Sequence, residues 1–100
     1  MHVITHSRIL DAQRQHRDCA TALDYWYRLM KHGRYANFSE LRGAFGSVDK
    51  VGPLYVFDVG GNKLRLIAAI HFKTGRVFIR HVLTHSEYDR ETWKRREHVQ

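Results

Sequence analysis

Hydrophobic positions recur at helical spacing in the first half of the chain and at alternate positions in the second. Val3 and Ile4 suggest a short first strand. Ser7 then precedes a polar helix through about Arg17, whose few apolar positions, Ile9, Leu10 and Ala12, predict a surface-mounted helix. Ala20, Leu23, Trp26, Tyr27 and Met30 form a stronger stripe, with Gly33 at its stop. Asn37-Phe38-Ser39-Glu40 has the form of a capping box opening a short helix, Leu41 to Phe45. Gly46 and Gly52 bracket a loop that carries Asp49 and Lys50.

After Pro53 the period falls to two. Leu54 to Val59, Asn62 or Lys63 to Phe72, and Arg76 to Leu83 read as three strands joined at Gly60-Gly61 and Thr74-Gly75. Such short joins force antiparallel neighbours. Thr84-His85-Ser86-Glu87 is a second capping box, opening a last helix that runs towards Arg96. The expected fold class is α+β: one domain over residues 1–100, with two N-terminal helices and a short helix packed on a small antiparallel sheet, then a C-terminal helix.

The turns imply a register. Two-residue turns put Phe72 opposite Val77, Ile70 opposite Ile79, Ala68 opposite His81 and Leu66 opposite Leu83. Around Gly60-Gly61, Phe57 meets Leu64 and Tyr55 meets Leu66. Both hairpins thus give one apolar face for the helices. The opposite face carries Asp58 beside Lys63, Arg65 beside Thr84, Arg80 beside Ala69 and His71 beside Phe78.

Charge adds the first functional signal. Seventeen Lys and Arg stand against ten Asp and Glu, a formal +7, which attracts polyanions such as RNA. No apolar run approaches the roughly 18 residues of a membrane span, and the N-terminus lacks the pattern of a secretory signal. Cys19 is the only cysteine, so an internal disulfide is excluded and a reducing cytoplasm is the expected location. No His, Cys and Asp spacing suggests a metal site.

The second face therefore gathers cations beside the start of the last helix. Lys63 and Arg65 lie near His85, and Tyr88, three residues on, shares its side of the helix. A first-turn histidine sits at the positive end of the helix dipole, a setting for neutral imidazole. Such a ring can accept a proton, as a general base does.

At these residues the chain resembles the HigB family of toxins within the RelE-like superfamily. Gly61-Asn62-Lys63-Leu64-Arg65-Leu66-Ile67 and Ile79-Arg80-His81-Val82-Leu83-Thr84-His85-Ser86-Glu87-Tyr88-Asp89 carry the likeness, the second segment being the more specific. The resemblance implies an mRNA endoribonuclease, acting on the ribosome without metal or cofactor, by attack of a ribose 2′-hydroxyl on the adjacent phosphate. It also implies a helix-turn-helix antitoxin of the HigA kind, with operator DNA engaged only through that antitoxin. Arg65 matches the arginine of the central strand, Tyr88 the C-terminal tyrosine, and His85 is the candidate for proton transfer. Lys63, Arg80 and Lys50 are the candidate RNA-binding cations. The likeness is incomplete, because the strand before the central one carries apolar residues and Asp58 where RelE has lysines. A non-catalytic RNA- or ribosome-binding module on the same scaffold is the alternative.

Overall fold

A computed structural model of the chain describes residues 1–90, 93 and 94. The order of elements is β1 (His2–Val3), α1 (His6–Gln15), a single 3-10 turn (Arg17–Cys19), α2 (Ala20–His32), α3 (Phe38–Ala44), β2 (Asp49–Val51), β3 (Leu54–Val59), β4 (Leu64–His71), β5 (Arg76–Thr84) and α4 (His85–Asp89). The continuation of the last helix to Arg96 lies outside the described residues.

The expected α+β class is present, with a larger sheet. Its order is β1-β5-β4-β3-β2. The loop expected around Asp49 and Lys50 is instead the edge strand β2, antiparallel to β3. At the other edge β1 runs parallel to β5, so the sheet is mixed rather than purely antiparallel. These edge strands have three and two residues, too few for a period to register.

Helices α1 and α2 cover one face of the sheet. The stripe of α2, Leu23, Trp26 and Met30, is buried against Phe57, Leu64, Leu66 and Ala68. Trp26, Phe45 and Phe57 meet edge-on or tilted, with centroids 5.1 to 6.1 Å apart, a favourable aromatic geometry. Asn37 caps α3 by accepting from the Glu40 amide at 2.9 Å, although the Glu40 carboxylate reaches back to Ala36 rather than to Asn37.

The apolar face is the expected one, but the register is not. Phe57 lies opposite Leu66 and Tyr55 opposite Ala68, while Asp58 faces Arg65 rather than Lys63. Residues 60–63 form a four-residue loop in which Gly60 and Gly61 both have positive φ, +67° and +68°. The second hairpin likewise leaves the ladder at His71 and re-enters at Arg76, so Ile70 faces Val77 and Ala69 faces Phe78. Around the first turn, and around the second as far as Ala68 and Ile79, the expected pairings are displaced by two residues. With a side-chain period of two, that shift leaves the residues concerned on their faces.

A bulge at Arg80 has the larger consequence. Ala68 pairs with Ile79 and Ile67 with His81, leaving Arg80 as the extra residue. Its backbone is held from α1. The Thr5 hydroxyl accepts from the Ile79 amide at 2.6 Å, and Arg8 Nη1 donates to the Arg80 carbonyl at 2.9 Å. Beyond the bulge the alternation of β5 inverts. Val82 turns to the helical core, while Leu83 and His81 join the second face, opposite to expectation. Arg65 accordingly lies opposite Leu83, and Leu64 opposite Thr84.

Candidate functional site

Three of the residues picked out in the sequence meet at the junction of β4, β5 and α4. Thr84 starts α4 with a complete capping box. Its hydroxyl accepts from the Glu87 amide at 3.3 Å, and its own amide donates to Glu87 Oε1 at 2.9 Å. The amide and hydroxyl of Thr84 hold the Glu87 carboxyl below its ordinary value. This closed cap fixes His85 as the first helical residue and turns Tyr88 over β4.

Arg65 is the centre of the arrangement. It is the one buried charged residue among those described, 8% exposed. Its Nε lies 3.1 Å from Asp58 Oδ1. Nη1 donates to the Leu64 carbonyl at 3.3 Å, and Nη2 donates to Asn62 Oδ1 at 3.3 Å. Nη2 is also 3.0 Å from His85 Nδ1. The Tyr88 ring lies 5.9 Å from the guanidinium carbon, within cation–π range. These contacts engage most of the five guanidinium N–H groups and clamp the fork in one orientation.

The same contacts fix the tautomer of His85. A guanidinium only donates, so Nδ1 accepts and the ring hydrogen resides on Nε2. Nε2 in turn faces Asp89 Oδ2 at 3.2 Å, one helical turn along. His85 is half-exposed, so the cluster presents an accessible imidazole above a buried arginine.

The second face is not bare. Trp93 is 3% exposed and forms a second apolar cluster with Leu54, Val56 and Ile67, flanked by Leu83 and Tyr88. Its ring stacks on Tyr88, centroids 5.4 Å apart, and its Nε1 donates to the Tyr88 carbonyl at 3.2 Å. Trp93, Asn62 and Asp89 are the members of the site that sequence reasoning missed. A large apolar side chain in the charged run from Asp89 to Arg96 was the signal for Trp93, and the four-residue spacing of His85 and Asp89 was the signal for that pair.

Two of the three candidate RNA-binding cations, Lys63 and Lys50, are not brought to this cluster. Lys63 turns to Asp18 at the 3-10 turn, 2.9 Å away, and this exposed pair lowers the Asp18 pKa and raises that of Lys63. Lys50 sits opposite Tyr55, whose side chain belongs to the helical core, at the far edge of the sheet. Arg80 occupies the bulge, and its backbone carbonyl is held by Arg8. Among the described residues no group of His, Cys, Asp or Glu converges as metal ligands.

Comparison with known proteins gives the family. Residues 19–91 match the family described as HigB_toxin, RelE-like toxic component of a toxin-antitoxin system. A protein of Escherichia coli O6:H1 named mRNA interferase HigB is 38% identical over 95 residues, covering 92% of each chain. A second relative, the mRNA interferase toxin HigB of Escherichia coli K12, is 36% identical over 92 residues, 89% of this chain and 88% of its own.

Proposed function

Because the chain belongs to the HigB family of RelE-like toxins, we propose that it is an mRNA endoribonuclease whose active centre is the Arg65, His85 and Tyr88 cluster. The observation that carries this reading is a clamped, buried guanidinium hydrogen-bonded to the accepting nitrogen of a half-exposed histidine. A donor held in advance where charge develops stabilises a transition state without reorganising.

That geometry supports the following reaction. A substrate phosphate competes for Nη2 of Arg65, and its arrival frees the Nδ1 lone pair of His85. Nδ1 then takes the 2′-hydroxyl proton as the 2′-oxygen attacks phosphorus. The bond from phosphorus to the 5′-oxygen breaks, leaving a 2′,3′-cyclic phosphate and a 5′-hydroxyl. Arg65 neutralises the developing charge, and Tyr88 brings a hydroxyl to the same cluster to protonate the leaving oxygen. Asp89 keeps the Nε2 hydrogen in place, so the basic nitrogen is always the one facing Arg65. No step calls for a metal.

The substrate is mRNA on the ribosome, in the cytoplasm. Lys63, Lys50 and Arg80 contribute to the field that draws RNA in rather than to the chemistry, and binding weakens steeply with salt. A helix-turn-helix antitoxin neutralises the toxin, an acidic segment covering the basic surface being the simplest means, and operator DNA is reached only through that partner.

One observation favours the alternative of a non-catalytic RNA- or ribosome-binding module: the donors of Arg65 are already committed within the protein. Induced expression with mapping of mRNA 5′ ends separates the two. New 5′-hydroxyl ends within coding regions, together with growth arrest, support the nuclease. Arrest without new ends supports the binding module, and unaffected growth and protein synthesis refute the toxin reading.

A further inference from the structure

The end of the sheet opposite Arg65 holds a second cluster of basic side chains. The C-terminus of α2, strand β1 and the turn between β4 and β5 enclose a pocket of about 390 Å³. His2, Lys31, His32 and Arg34 line it, and among the described residues no Asp or Glu does. These four residues are exposed at its rim, whereas Tyr35 is buried in the wall with its hydroxyl bonded to the Leu29 carbonyl at 3.0 Å. Two more exposed cations, Lys73 and Arg76, stand beside it, Arg76 opposite His2 in the sheet register. Among the described residues no ion pair involves Lys31, Arg34, Lys73 or Arg76. Arg34 is also near enough to the chain's amino group to act on it. The amino group of Met1, held by the carbonyls of Met30, Lys31 and Gly33, has its pKa lowered by burial and then by Arg34.

Basic side chains gathered in this way around a concave surface attract an anion. We infer that this pocket, built by His2, Lys31, His32 and Arg34, is a second RNA site that grips the phosphodiester backbone of the substrate strand away from the point of cleavage. The inference rests on the nuclease reading for the identity of the polyanion. Distance supports a single RNA engaging both sites. Strand β5 connects them over eight residue steps, from Arg76 to Thr84, or roughly 26 Å at about 3.3 Å per residue. An RNA of several nucleotides spans that length. An acidic protein segment fits the pocket less well. Protein hot spots need a desolvated aromatic or aliphatic anchor, and this pocket offers cations, a turn and a tyrosine with a committed hydroxyl.

The test uses the full chain carrying Lys31→Gln and Arg34→Gln together, both at exposed positions. Binding is measured by fluorescence anisotropy between low and physiological salt, with a 20-nucleotide RNA made uncleavable by 2′-O-methylation. Losing two phosphate contacts makes the plot of log affinity against log salt shallower by about 1.4 for a single strand, and affinity at low salt falls at least several-fold. Cleavage of unmodified mRNA on programmed ribosomes, with the ribosomes saturating, stays at the parent rate. The charge-preserving pair Lys31→Arg and Arg34→Lys retains the parent slope, and thermal melting confirms that both double variants are folded. A glutamine double variant with the parent slope and affinity overturns the proposal. So does one that keeps RNA affinity and loses binding to a glutamate-rich peptide, which would assign the pocket to a protein partner. Failure of the nuclease reading gives a different pattern, in which the parent protein itself makes no cuts while the salt slope still responds to the glutamines.

Discussion

Replacing Trp93 with alanine removes the cover of the second sheet face and the support of Tyr88 in one step. Trp93 is 3% exposed, lies among Leu54, Val56 and Ile67, stacks on Tyr88 and donates to its carbonyl. A buried tryptophan truncated to alanine costs about 3–5 kcal/mol. The lower end applies here, because neighbouring side chains on an outer face can partly close the gap. For a chain of this size about 3 kcal/mol corresponds to a fall of roughly 12–24 °C in melting temperature, a large share of a small domain's stability. The effect reaches the site, since Tyr88 loses both stack and anchor, and a displacement of the order of 1 Å can cost up to about 100-fold in rate. Calorimetry and single-turnover cleavage on the same preparations read the two consequences. Trp93→Phe keeps a ring against Tyr88 but loses the indole hydrogen bond, worth about 1 kcal/mol, and part of the indole's packing, so its stability is intermediate and it retains most of the parent rate. A Trp93→Ala protein that melts within a few degrees of the parent and cuts at the parent rate would show that this residue neither covers the face nor supports Tyr88.

Other substitutions test separate parts of the account. Thr84→Ala opens the capping box, costs about 1 kcal/mol in a denaturant titration, and lowers cleavage through His85. The Glu87 pKa is depressed in the fold, so its contribution is present above the unfolded value, about pH 4.3, and is lost as pH falls through the lower folded value. Glu87→Gln should therefore flatten that part of the acid melting curve. Gly60→Ala places a methyl group 2.9 Å from Cys19 Sγ at a φ of +67°, and a loss of about 1–2 kcal/mol is expected from the backbone conformation alone, read by urea unfolding. Lys63→Ala breaks an exposed pair with Asp18 on the helical side, so melting and single-turnover rate stay near the parent while RNA affinity falls modestly.

The parts of this architecture legible in the sequence are those with a long period. The α2 stripe and the three alternating strands gave both the helical core and the correct face for Leu64, Leu66 and Arg65. Register escaped because Gly60-Gly61 marks a turn without stating its length, and a shift by two residues leaves the alternation unchanged. The bulge at Arg80 was invisible because Thr5 and Arg8, more than seventy residues away, supply the hydrogen bonds that hold it. Its effect is to exchange His81 and Leu83 for Val82 beneath the site. Arg65, His85 and Tyr88 converge as expected because the Thr84 cap is local chemistry that tolerates a wrong register. Lys63 was misplaced for the opposite reason, since its partner Asp18 comes from a 3-10 turn with no sequence signature.

On the proposed mechanism Arg65 stabilises charge on RNA rather than merely holding Asp58 and His85 in place. Its side chain is 10% exposed and that of Asp58 35%, so alanine at this position can lower stability as well as rate. Arg65→Lys keeps a cation and an aliphatic stem but loses the planar fork that reaches Asn62, Asp58 and His85 together. Single-turnover cleavage of mRNA on programmed ribosomes by the parent, Arg65→Lys and Arg65→Ala proteins, each verified as folded by melting, is the most direct test. The account predicts a loss of roughly 100-fold or more for the alanine variant and an intermediate rate for lysine. A folded Arg65→Ala protein that cuts at the parent rate would contradict it.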